Sequence, residues 1–156
     1  MTEQLRIVRQ TLKPPFRFTR PPTSSNALPM TKTLLVFLGS GVGGAARYGV
    51  NVWSLKAFGP HFPAATFIVN VVGGLAMGLI AGWLAFKGEM AWSQELRLFL
   101  TTGILGGFTT FSAFSLDAVV LFERGEHGLA ALYVVASVIF AIAALAVGLA
   151  IVRGLS

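Results

Sequence analysis

Three pairs of polar residues at helical spacing stand out in a chain that is otherwise apolar. Thr66 and Asn70 are four residues apart, as are Tyr133 and Ser137, and Arg47 and Asn51. Residues at i and i+4 share a helix face, so each pair sets polar groups on one stripe. Inside a membrane, each pair reads first as an interhelical hydrogen bond, worth about 0.6 kcal/mol on average. Two such rows beside an arginine also make a polar track suited to an anion. Amides and hydroxyls replace the ion's water, without the full charge that holds it too tightly to leave.

The sharpest segment is Gly103-Ile104-Leu105-Gly106-Gly107-Phe108-Thr109-Thr110-Phe111-Ser112-Ala113-Phe114-Ser115. Two adjacent glycines and, just beyond, two β-branched threonines make a poor helix, so the spacing predicts a break. Irregular backbone at membrane depth is tolerated only inside protein or beside a polar cavity. A break frees carbonyl oxygens, and free carbonyls can hold a hard cation such as Na⁺. Phe108, Phe111 and Phe114 are spaced by three and are expected near one face. Aromatic ring edges carry partial positive charge, so rings turned edge-on can touch an anion. A phenylalanine stripe alone would be ordinary packing; the adjacent break sets this one apart.

What is missing narrows the chemistry. The middle of each apolar run holds no Asp or Glu; Asp117, toward the end of the third, comes closest. Proton-coupled transporters usually need a buried carboxylate, as in the first span of the four-span small multidrug resistance transporters. Its absence favours passive conduction over pumping. There is no cysteine, which removes thiolate metal sites and nucleophiles. The two histidines, His61 and His127, fall in predicted loops, and neither a GxSxG nor an HExxH pattern is present. No enzyme is expected. Two other readings stay open: a proton-coupled exporter of small cations in the multidrug-resistance style, and a non-transporting membrane scaffold.

These residues need a membrane to sit in, and the composition supplies one. Of 156 residues, 54% are hydrophobic and 12% charged, and the mean hydropathy is +0.74. A soluble domain carries about 25% charged residues, so a water-soluble enzyme is excluded, as is a disordered chain. The sequence pI near 10.6 would suit a nucleic-acid binder, but the hydropathy does not. Expected instead is an all-α integral membrane protein of four spans, about 33–53, 64–86, 93–122 and 128–152, with the third broken mid-membrane. About 20 apolar residues cross a hydrocarbon core. Trp53, Trp83 and Trp92 fall near the expected water interfaces. Gly39 and Gly43 are four apart, and Gly74, Gly78 and Gly82 repeat that spacing, as close helix packing in lipid requires.

Residues 1–30 differ in kind. They hold five basic residues against Glu3, and five of the seven prolines. They read as a disordered basic tail ahead of a channel domain at 31–156. Met30-Thr31-Lys32 has the look of a natural beginning. Of the formal charge of +6, the tail supplies +4 and the rest +2. In the body, Lys32, Lys87, Arg97 and Arg153 fall on the side of the termini, and Arg47, Lys56 and Arg124 on the other. Four against three is almost no orientation bias, and a chain without bias can insert both ways and pair with an inverted copy.

From about Met30 to Arg153 the chain resembles the Fluc (CrcB-type) fluoride channels. Gly43-Gly44-Ala45-Ala46-Arg47-Tyr48 is similar to the family's glycine-rich first-span motif ending in Arg-Tyr. Residues Ala65 to Gly73 resemble Gly-Thr-Leu-x-x-Asn-x-x-Gly of the second span, and Gly106 to Ser115 resemble Gly-Gly-x-Thr-Thr-Phe-Ser-Thr-Phe-Ser of the third. Two positions depart from the pattern: Ala65 stands where the family often has glycine, and Ala113 where it often has threonine. The resemblance implies a passive fluoride channel in the cell membrane, built as an antiparallel homodimer with two pores. It implies that Phe111 and Phe114 line the pores and that Asn70 donates to fluoride. Tyr133 and Ser137 continue the track, with Thr110 and Ser112 beside it. Carbonyls of Gly106 and Thr109 from both subunits hold a structural Na⁺, and Arg47 faces an aqueous vestibule. No nucleic-acid partner is implied.

Overall fold

The computed structural model describes residues 30–86 and 95–155. The expectations for the tail, for the connection at Lys87-Gly88-Glu89 and for Trp92 lie outside the described residues. Among those residues the chain is all helical. The elements are α1 (Met30–Phe58), α2 (Ala64–Phe86), α3 (Leu98–Leu105), α4 (Gly106–Phe108), α5 (Phe111–Glu123) and α6 (His127–Gly154).

Three stretches, Ala64–Ala85, Glu95–Glu123 and His127–Gly154, are long and apolar enough to cross a membrane. They coincide with the second, third and fourth expected spans. α1 has the length, 29 residues, but Ser40, the surrounding glycines and Arg47 dilute its apolar character.

Helix ends follow turn chemistry. α1 stops at Gly59, whose φ of 74° suits a residue without a Cβ, and the Gly59 N–H reaches the Leu55 carbonyl at 3.0 Å. α5 ends in a Schellman motif around Gly125, at φ 80°. There the Gly125 N–H meets the Phe122 carbonyl at 3.0 Å and the Glu126 N–H meets the Leu121 carbonyl at 3.1 Å. The sequence places His127 in a loop; it is instead the first residue of α6, against Phe122 with ring centroids 4.4 Å apart.

Close packing runs through the expected glycines. α2 lies along α6. A Cβ on Gly74 would stand 2.6 Å from the Ala141 carbonyl oxygen, and one on Gly148 2.5 Å from that of Leu75. α1 lies along α3 and α4. A Cβ on Gly39 would stand 2.8 Å from Gly103 Cα, and one on Gly107 2.5 Å from the Ser40 carbonyl oxygen. Such contacts let backbones meet with no side chain between them. α5 packs on α6 through the buried cluster of Phe114, Leu121, Ala130 and Tyr133.

The third span is broken where the glycine and threonine run predicts. Thr109 (φ −82°, ψ 159°) and Thr110 (φ −155°, ψ 117°) are extended, between α4 and α5. Not foreseen is the winding of α3, which turns as a π-helix over its eight residues. The Thr101 hydroxyl back-bonds to the Arg97 carbonyl four residues earlier, at 2.7 Å.

Candidate functional site

The break is fastened by Asn70 from α2. Its Nδ2 donates to the Thr110 carbonyl at 3.1 Å, and its Oδ1 accepts the Thr110 N–H at 2.9 Å. The Thr110 side chain caps α5 by accepting from the Ala113 N–H at 3.2 Å. Thr110 and Ser112 hydroxyls are 3.2 Å apart. Asn70 thus spends one amide hydrogen on the backbone and keeps a second.

Two of these bonds take a donor away from a carbonyl that a continuous helix would satisfy. The Thr110 N–H would otherwise serve Gly106, and the Ala113 N–H would serve Thr109; they go to Asn70 Oδ1 and Thr110 Oγ1. The break at Thr109 and Thr110 leaves the carbonyls of Gly106, Gly107, Phe108 and Thr109 without helical donors, and the expected sodium ligands, Gly106 and Thr109, are two of these four. Among the described residues, no cluster of three or more His, Cys, Asp or Glu could hold a metal. Gly106 is exposed on the protomer, and Thr109 is half-buried with its Cγ2 against Gly73.

Six of the expected residues, Asn70, Thr109, Thr110, Phe111, Phe114 and Ser137, line one open groove of about 370 Å³ between α2, α5 and α6. Phe111 and Phe114 have ring centroids 5.5 Å apart, and Phe114 and Tyr133 likewise 5.5 Å. Phe62 meets Tyr133 edge-on at 5.8 Å. The rings form a column from the exposed Phe111, through buried Phe114, to Tyr133, which is fully buried. Phe108 does not join it. Its ring lies instead beside Gly73 of α2, its Cδ1 3.5 Å from where a Cβ would stand, while its backbone N faces Gly43 on α1.

Ser137 is buried, and among the described residues its Oγ has no hydrogen-bond partner. Leaving a buried hydroxyl unpaired costs about 1–3 kcal/mol. Ser137 borders the groove. The Tyr133 hydroxyl is engaged, donating to Asp117 Oδ2 at 3.2 Å.

Asp117 is the residue that sequence reasoning passed over. It counted as a span-end acid, but three residues beyond Phe114 it shares that ring's helix face and meets Tyr133. It also lines a second cavity, of about 330 Å³, with Asn51, His61, Thr66 and Arg124. Arg47, half-buried on α1, lines neither cavity.

The pattern of the CrcB-like protein family, Camphor Resistance (CrcB), matches residues 34–149. A protein of Nitrobacter hamburgensis called "Fluoride-specific ion channel FluC 2" is 58% identical over 123 residues, 79% of this chain and 98% of that protein. "Fluoride-specific ion channel FluC" of Methylobacterium sp. is 60% identical over 124 residues, 80% of this chain and 98% of its own. That of Agrobacterium fabrum is 51% identical over 126 residues, 81% and 99%. On this match, the chain belongs to the CrcB-like family.

Proposed function

We propose that the chain is the subunit of a passive fluoride channel that lets the ion leave the cytoplasm across the cell membrane. Its similarity to proteins named fluoride-specific ion channels supports the ion's identity. The observation that carries the reading is one groove that brings together Asn70, Phe111, Phe114 and the buried Ser137, whose hydroxyl has no hydrogen-bond partner among the described residues. Fluoride is small and strongly hydrated, so a path must exchange its water for donors. Hydroxyls, an amide hydrogen and ring edges do so without trapping it. A negative-inside potential drives an anion outward, by about 2.3 kcal/mol per charge per 100 mV, so no coupled proton is needed. The work is ion passage and not catalysis.

The channel is an antiparallel homodimer of four-span subunits with two pores. α1 is the first span, its length supporting that role. Phe111, 77% exposed on the protomer, is a ring the partner covers. Gly106 and Thr109 carbonyls of both subunits would hold a Na⁺ there, which would supply a fixed positive charge and a partner for the freed oxygens. Thr110 and Ser112 hydroxyls border the path, and Arg47 draws anions toward the dimer's vestibule.

Substitution of Ser137 tests the reading. Ser137→Ala removes a donor to a charged ligand, worth about 1.5–3 kcal/mol, so fluoride efflux from liposomes falls roughly tenfold or more. The melting temperature holds or rises, because an unpaired buried hydroxyl is gone. Unchanged efflux contradicts the reading.

A further inference from the structure

The cavity at the loop end of the bundle has no role in the site described above. It opens between the end of α1, the turn at Gly59-Pro60, the start of α2 and the end of α5. Its wall brings together Asn51, Thr66, Asp117, His61 and Arg124. Asp117 accepts from Tyr133, and Tyr133 stacks on Phe114 of the groove. The two cavities are therefore joined through one pair of side chains. An anion approaching from this end meets the Asp117 carboxylate, the one acidic side chain in the cavity wall, and is repelled. Arg124 is the one wall residue whose side chain is charged positive at every physiological pH.

We infer that this cavity is an anion entrance and that Arg124 sets its potential, offsetting Asp117 so that fluoride can collect ahead of the Tyr133–Asp117 pair. The inference rests on the channel reading for the ion's identity, and assigns to Arg124 a positioning role for the approach of the ion. The charge acts through space. At about 8 Å through water, one unit charge changes local anion concentration about twofold, and salt removes the effect, since the Debye length falls from about 30 Å at 0.01 M to about 3 Å at 1 M.

The chain has no cysteine, so Pro60→Cys in the full-length protein takes a single fluorophore at the cavity rim. Quenching by iodide reports anion approach, and quenching by neutral acrylamide reports access alone. On this background, Arg124→Gln lowers iodide quenching about twofold at roughly 10 mM ionic strength. Acrylamide quenching is unchanged, Arg124→Lys keeps the iodide value, and the gap closes at about 1 M salt. Equal iodide quenching in the Arg124→Gln protein at low salt overturns the inference. So does a loss that acrylamide shares or that salt leaves intact, since that marks a structural change. Fluoride efflux is measured on the same preparations. The predicted quenching pattern in a protein that passes no fluoride would sink the channel reading and leave the anion entrance standing.

Discussion

Asn70 and Thr110 are joined by two reciprocal hydrogen bonds, 3.1 and 2.9 Å long, so that one side-chain amide stands in for a helical turn where the third span is interrupted. The pair explains how extended backbone survives in an apolar setting: the freed Thr110 N–H and C=O are satisfied by a neighbouring helix. It also fixes where the Phe111 and Phe114 rings point, because α5 starts from Thr110.

Breaking that pair should cost stability and conduction together. Asn70→Ala leaves the Thr110 N–H without its partner, a loss of about 1–3 kcal/mol. Asn70→Asp keeps the acceptor but sets a second oxygen against the Thr110 carbonyl. Thermal unfolding in detergent should show a lowered midpoint for both, and liposome efflux should be lost. A wild-type midpoint in Asn70→Ala would show that the clamp is dispensable.

The two rings should separate by readout. Phe114 is 9% exposed and sits between Phe111 and Tyr133, so Phe114→Ile costs roughly 1–2 kcal/mol, below the Phe→Ala range. Phe111 is exposed on the protomer, so Phe111→Ile should leave protomer folding intact and still slow fluoride. Loss of efflux with intact folding in Phe111→Ile supports a ring in the path; full efflux counts against it.

Glycine substitutions should follow the backbone contacts. A Cβ on Gly78 would run into the Leu145 carbonyl oxygen and stand 3.0 Å from the Leu149 N, whereas Gly128 has nothing within 4 Å. Gly78→Ala should destabilise by about 1–3 kcal/mol. Gly128→Ala should be neutral or mildly stabilising. Comparable midpoints for the two proteins would contradict the packing of α2 on α6.

Sodium removal tests the carbonyl site. In Na⁺-free buffer, efflux should fall and the dimer should melt earlier, both recovering when Na⁺ is restored. Gly106→Ser should weaken that recovery. Full activity and an unchanged midpoint without Na⁺ would rule out Gly106 and Thr109 as its ligands.

Much of this was legible in the sequence because membrane physics leaves few options. Length and hydropathy located the helices, glycine spacing marked the close-packing faces of α1 and α2 without naming their partners, and the run from Gly106 to Thr110 located the break. Two features were not legible. Phe108 shares the spacing of Phe111 and Phe114, but residue spacing marks a common face only while the helix is continuous. Asp117 read as a span-end acid because linear position says nothing of which helix it meets; its placement three residues past Phe114 was the available signal. The π winding of α3 leaves no signal in residue spacing.

The central claim is that donors without a trapping charge conduct fluoride selectively and without proton coupling. Liposomes holding the purified protein, loaded with fluoride or with chloride and read with ion-selective electrodes, test it most directly. The account predicts rapid fluoride efflux driven by a membrane potential alone, with chloride efflux at the level of protein-free liposomes. Equal efflux of the two ions, or fluoride efflux that requires a proton gradient, would contradict it.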